Sequence, residues 1–200
     1  MSNEAPKSEP ASSTLAELHT NLRRTTTFIT GHNSEGKAIV QSERPAAWTS
    51  FENGLMGFNQ IYTNPSPPDL NGDIDLQYHD DKIASGKLGL AVKSGTVCRM
   101  VDFSPEYVCM MHRTQSLDFG IVVEGEIDLI LDDGSSTRLR RGDIAVQRAT
   151  IHSWSNPSAT DWARMVFVLQ DTKPLFVEGK RYGEDYGRGT EGLPRSGNDD

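Results

Sequence analysis

Apolar and β-branched runs recur through the second half of the chain, at Arg99–Phe103, Tyr107–His112, Phe119–Val123, Ile127–Leu131, Thr137–Leu139, Ile144–Gln147 and Ala163–Leu169. Turn signals separate them: Ser104-Pro105, Glu124-Gly125, Asp132-Asp133-Gly134, Arg141-Gly142-Asp143 and Asn156-Pro157. Short strands at this spacing, with no helical period between them, predict an all-β antiparallel sandwich or small barrel. Asp133-Gly134 is the sharpest hairpin signal, because its turn type needs a residue that tolerates positive φ.

Upstream the pattern is weaker. Thr14 and Glu17 form a capping box, and Leu15, Leu18, His19 and Leu22 fall on one face, which predicts a short N-terminal helix with His19 as a packing residue. Thr25–Ile29 and Ala38–Val40 flank a Gly31–Gly36 turn that contains His32, so two extra N-terminal strands are expected. Phe58–Tyr62 reads as a further strand ending at the loop Asn64-Pro65-Ser66-Pro67-Pro68. Residues 69–95, rich in Asp and Gly and containing Tyr78 and His79, give no element and read as an excursion over one mouth of the barrel. The domain reading is a mobile N-terminus with a short helix over 1–24, one barrel domain over 25–175 and a disordered tail over 176–200.

Composition narrows the function. The 28 acidic against 20 basic residues give a formal charge of −8, and the basic clusters are short, so no nucleic-acid partner is expected. The N-terminus lacks the apolar core of a secretory leader, and no stretch approaches the roughly 18 apolar residues of a membrane span, so a cytoplasmic protein without a membrane partner is expected. Cys98 and Cys109 lie in apolar strands without a C-x-x-C spacing, as buried free thiols of a reducing compartment would.

Chemistry-bearing residues concentrate in one stretch: His112, Arg113, Thr114 and Asp118, then Gly125, then Gly142, His152, Trp154 and Asn156. Strand alternation puts His112 and Thr114 on one face with Met110 and Val108, and turns Arg113 away to the surface or an interface. An apolar lumen with a few convergent polar groups is the usual form of a small-molecule site. Arg148 offers a planar fork for a substrate carboxylate, and Trp154 a wall or mouth residue. Gly125, Gly134 and Gly142 serve turns. Ser153 and Ser155 lack a nucleophile-elbow pattern, which argues against a serine hydrolase.

These residues resemble the two motifs of the cupins, G-x5-H-x-H-x3/4-E-x6-G and G-x5-P-x-G-x2-H-x3-N. His112 matches the first histidine, Asp118 stands where the glutamate belongs, and Gly125 closes the motif. Gly142, His152 and Asn156 match the second motif, with one residue fewer between its glycine and its histidine. The run from Gly142 to Arg148 and on to Asn156 resembles a subgroup of small single-domain cupins found in bacteria and in fungal specialised-metabolite pathways. The likeness is strong over 95–172, and the Thr30-Gly31-His32-Asn33 loop shares it. The resemblance implies a cupin or jelly-roll barrel, a homodimer formed by exchange of N-terminal strands, and an enzyme acting on a small organic intermediate of polyketide type.

The chain departs from the pattern where a metal would sit. Thr114 replaces the second histidine, and a hydroxyl is a poor ligand for Zn, Fe or Mn beside imidazoles. One reading keeps His112, Asp118 and His152 as a two-His-one-carboxylate set for Fe, Mn, Zn or Ni in an oxidoreductase, with His79 as a replacement ligand. The other has no metal: His112 and His152 work as acid and base, with Asp118 orienting one imidazole, in isomerisation, dehydration or decarboxylation. A third is a non-catalytic barrel that binds a small ligand.

Overall fold

A computed structural model describes residues 20–187 and 193–198. The helix expected from Thr14, with His19, lies outside the described residues. The strands are β1 (Thr26–His32), β2 (Ala38–Pro45), β3 (Trp48–Phe51), β4 (Met56–Pro65), β5 (Gly95–Phe103), β6 (Ser116–Glu124), β7 (Glu126–Leu131), β8 (Ser136–Arg140), β9 (Ile144–Arg148), β10 (His152–Ser155), β11 (Ala163–Asp171), β12 (Leu175–Val177) and β13 (Lys180–Tyr182). The named strand pairs are all antiparallel. A six-stranded sheet in the order β3-β4-β5-β11-β6-β9 and a three-stranded sheet β10-β7-β8 form the barrel walls. β1 and β2 make a separate hairpin.

Period-two alternation decides what enters the barrel. On β5, Val97, Arg99, Val101 and Phe103 are buried while Thr96, Cys98 and Met100 are only half-buried. On β6, Ser116, Asp118, Gly120 and Val122 are buried, and on β9 Ala145 and Gln147 are, leaving Ile144, Val146 and Arg148 outside. Phe58, Phe103, Ile127, Trp154, Met165 and Phe167 supply much of the apolar interior. The β7–β8 hairpin turns at Gly134, whose φ of 86° suits glycine and whose N–H bonds Leu131 O.

Asp102 on β5 and Arg164 on β11 are sequestered together, with Nε and Nη2 donating to the carboxylate at 2.5 and 2.7 Å. Arg164 also donates to Arg23 O and lies over the Trp48 ring, so this pair fastens the incoming N-terminal segment to the central strands.

The structure differs from the sequence reading in four places. Tyr107–His112 is not a strand: only Val108 and His112 bridge to β10, and Val108 is 58% exposed rather than lining the lumen. Residues 69–95 contain a helix, α1 (Ile74–Ala84), which packs on β4. Its inward face carries Asp75 and His79 while Ile74 and Ile83 stay exposed, so no apolar stripe announces it. Cys98 is half-buried; only Cys109 is sequestered. Finally, the described part of 176–200 is tied down rather than disordered. Beyond the β12–β13 hairpin, Tyr186, Ser196 and Asn198 are buried. Asn198 exchanges amide bonds with Gln115, Ser196 Oγ accepts from Ala91 N, and Tyr186 Oη accepts from Leu90 N. Sparse apolar content hid this, because backbone-directed polar bonds hold the segment. Gly89 makes the approach feasible: a Cβ there would sit 2.8 Å from the backbone of Arg195.

Among the described residues no helix is long and apolar enough to cross a membrane.

Candidate functional site

The barrel holds an open-mouthed cavity whose empty space, solvent at the mouth included, is about 620 Å³. Met110, His112, Thr114, Asp118, His152 and Trp154, six of the residues singled out in the sequence, line it together. Arg148 does not. It lies opposite Leu117 on the outer face of β9, because Gln147 takes the inward position. His79 is absent too: on α1 its Nδ1 accepts the Thr63 N–H and its ring stacks on Tyr62. Arg113 faces neither solvent nor an interface alone; it donates to Gly183 O at 2.7 Å, lies over the Tyr182 ring and helps anchor the C-terminal segment.

Backbone pairing brings the two histidines together. His112 and His152 are directly opposed, each N–H bonding the other's carbonyl at 2.8 and 2.9 Å. Their rings are 4.3 Å apart between centroids, and the Trp154 ring meets His152 edge-on at 5.3 Å. Each Nδ1 lies 3.0 Å from the carbonyl two residues earlier, Met110 O for His112 and Thr150 O for His152. A carbonyl accepts only, so both Nδ1 atoms carry the proton and both Nε2 atoms are the basic nitrogens. Burial holds both imidazoles below their ordinary pKa. For His152, pushed down to about 3, the neighbouring His112 adds to the effect. Both rings are therefore neutral at pH 7, and a proton on one opposes a proton on the other.

Asp118 does not orient an imidazole, as the sequence reading had it. Its Oδ2 accepts from Thr114 Oγ1 at 3.4 Å, and Thr114 Oγ1 in turn accepts from Ser116 Oγ at 2.8 Å. Oδ1 has no partner. Burial raises the Asp118 pKa to about 7, against the lowering effects of Ser116, Thr114 and Arg99. A carboxyl poised there can give or take a proton at physiological pH.

One cavity residue escaped the sequence reading: Arg99, 2% exposed, which lines the same cavity. Its Nη2 donates to Gly89 O and Leu90 O at 2.6 Å each, and its Nε and Nη1 have no hydrogen-bond partner among the described residues. The signal was present in the strand alternation, since Arg99 shares the inward period of Val97, Val101 and Phe103. Cys109 Sγ lies 3.9 Å from His112 Nδ1, but burial pushes its thiol up to about 12, so it is no nucleophile.

The residues present do not fit a resident divalent metal. Among the described residues no three His, Cys, Asp or Glu side chains converge as a donor set, so His112, Asp118 and His152 are not one. Thr114 offers a hydroxyl committed to Asp118, and a buried guanidinium shares the cavity.

No family model matches the chain. A cupin-domain-containing oxidoreductase, virC, of Hypocrea virens is 44% identical over 160 residues, covering 78% of this chain and 80% of that protein. Phomopsin biosynthesis cluster protein C' of Diaporthe leptostromiformis is 40% identical over 179 residues, covering 88% of this chain and 94% of that one. A cupin-domain-containing oxidoreductase, fogC, of Aspergillus ruber is 39% identical over 165 residues, covering 80% of this chain and 79% of that protein. Among solved structures, the polyketide cyclase RemF from Streptomyces resistomycificus aligns with a TM-score of 0.41 at 15% identity, covering 68% of this chain and 74% of that chain. The antiparallel barrel, the inward His112 and His152 and the two fungal cupin-domain proteins agree, and the chain belongs to the cupins.

Proposed function

We propose that this cupin is an enzyme of specialised metabolism that moves a proton on a small, mostly apolar intermediate of polyketide type, in an isomerisation, dehydration or decarboxylation. Similarity to proteins named for fungal biosynthesis clusters supports the setting. The observation that carries the chemistry is the opposed His112–His152 pair, each ring fixed by a backbone carbonyl with its basic Nε2 left for a ligand. Either neutral imidazole can take a proton from carbon, and we assign that step to His112. His152 keeps the pair to a single proton. Asp118, in its protonated form, returns a proton to the substrate or to a departing hydroxyl, and the apolar walls exclude water.

The test is hydrogen exchange. A panel of β-keto acids is incubated with the enzyme in D2O and followed by mass spectrometry. Enzyme-dependent uptake of deuterium, falling about 10²- to 10⁴-fold in His112→Gln, is the expected result. Equal uptake with and without the enzyme across the panel, or unchanged uptake in the variant, refutes the reading.

A second reading, oxidoreductase, is favoured by the names of the relatives. Metal analysis of protein loaded with Fe(II), Mn(II), Zn(II) or Ni(II) separates the two. Stoichiometric metal that is lost in both His112→Ala and His152→Ala moves the second reading ahead of the first.

A further inference from the structure

We propose that Arg99 is the anion-recognition residue of the lumen, and that the ligand is a planar organic anion whose oxygen takes the unpaired N–H groups of this guanidinium. Burying an arginine is unfavourable unless its donors are satisfied. Here the Nη2 bonds to Gly89 O and Leu90 O fix the side chain, while Nε and Nη1 have no acceptor among the described residues.

A neighbouring pair on β5 and β11 shows how this fold treats an arginine that is purely structural. Three residues along β5, Asp102 closes a bidentate pair with Arg164 of β11. Arg99 closes no such pair, although Asp118 lines the same cavity with an unpartnered Oδ1 of its own. Two unpaired groups of opposite character in one lumen describe the ligand. It has an anionic oxygen for Arg99, a donor such as a hydroxyl for Asp118, and a flat apolar body for the remaining walls. Phe58 lies 5.2 Å from the guanidinium carbon, so an aromatic or conjugated skeleton continues a surface already present. A carboxylate and a phenolate or enolate share this chemistry.

The proposal takes the lumen as a ligand site, as the proton-transfer reading does, but needs no turnover. Binding of benzoate, methyl benzoate and 4-nitrophenolate to the full chain is measured by calorimetry at pH 7.5, for the wild type and for Arg99→Met. In parallel, the Nε–H resonance of Arg99 is followed in arginine-labelled wild type. Benzoate is expected to bind at least about tenfold more tightly than its neutral ester, and that preference to vanish in Arg99→Met while ester binding remains. The Arg99 Nε–H resonance is expected to move on saturation with the anion. Binding of 4-nitrophenolate as tight as benzoate assigns the site to oxyanions at large; weaker binding assigns it to carboxylates. Equal wild-type affinity for benzoate and ester overturns the proposal, as does a preference that survives Arg99→Met. If that variant does not fold, an unmoved Nε–H resonance at saturation overturns it alone. Arg99-dependent binding without deuterium uptake in any compound sinks the proton-transfer reading and leaves this one standing.

Discussion

Replacing Asp118 by Asn tests the electrostatics of the lumen without a substrate. Asn is close in shape to the protonated acid but cannot ionise. A carboxyl raised from 3.8 to about 7 in the folded state keeps its proton there while the unfolded chain has already lost it. Its contribution to stability is therefore full below pH 3.8 and lost progressively as pH rises to about 7. At about 1.4 kcal/mol per pH unit the whole loss is about 4 kcal/mol, of which about 2 kcal/mol falls between pH 5 and 7. In the wild type alone the slope is masked. His112 and His152, held below their ordinary pKa of 6.5, make the unfolded state the better proton acceptor at lower pH and tilt the curve the other way. The difference between wild type and Asp118→Asn removes that contribution, since Asp118 is not among the groups that set either histidine. Urea unfolding followed by tryptophan fluorescence at pH 5, 6, 7 and 8 gives the difference directly. The variant should gain on the wild type steadily from pH 5 to 7, and only slightly more by pH 8. A difference that stays flat within about 0.5 kcal/mol would mean that Asp118 ionises normally, through water or by closing on Arg99, and would remove it as the neutral-pH proton donor.

Asp102→Ala leaves the buried Arg164 guanidinium without its carboxylate and should destabilise by about 3–5 kcal/mol in urea unfolding, with little change in any ligand affinity. Ending the chain after Gly183 removes Tyr186 and Leu193 from the cavity wall; benzoate affinity should fall and Trp154 fluorescence should shift to the red, and an unchanged spectrum would refute a closing role for this segment. The separate β1–β2 hairpin exposes Phe28, Ile39 and Val40, at 60%, 40% and 53%, and β9 is an uncovered sheet edge, so a homodimer is expected by light scattering. Phe28→Glu should shift it toward monomer; a monomeric wild type at micromolar concentration defeats the expectation.

Much of the barrel was legible because its strands obey period-two alternation and its turns carry the residues that their geometry demands. Asp133-Gly134 gives the β7–β8 hairpin, and the runs at 99–103, 119–123, 127–131, 137–139, 144–147 and 163–169 all fall within strands. The histidine pair was legible from motif spacing, but its cause was not. Only the register, which sets His112 opposite His152, explains why the rings touch. The failures share an origin in polar groups at buried places. α1 turns Asp75 and His79 inward, and the C-terminal segment is held by Gln115, Asn198 and Ser196 rather than by apolar side chains. Arg148 was named as a candidate and Arg99 passed over for the same reason. Local composition made Arg148, beside the second motif, look like the anion binder, whereas strand parity points Arg99 inward and Arg148 out.

That exchange of arginines bears on the departures from the cupin pattern. A lumen that keeps two imidazoles but replaces a third with Thr114 loses a strong donor, and Asp118 is drawn into a hydroxyl chain instead of joining the histidines. Arg99 puts a fixed positive charge in the same cavity, which repels a divalent cation and attracts the oxyanion that such a cation would otherwise hold. The same charge acts on Asp118, whose carboxyl burial would raise further without it. Arg99→Met should therefore do two things at once: abolish the preference for benzoate over its ester, and move the Asp118 titration seen in the stability difference to higher pH. Loss of the anion preference with no movement of that titration would separate the two groups. Arg99 would then serve the ligand alone, and the proton on Asp118 would answer to burial and its hydroxyl partners.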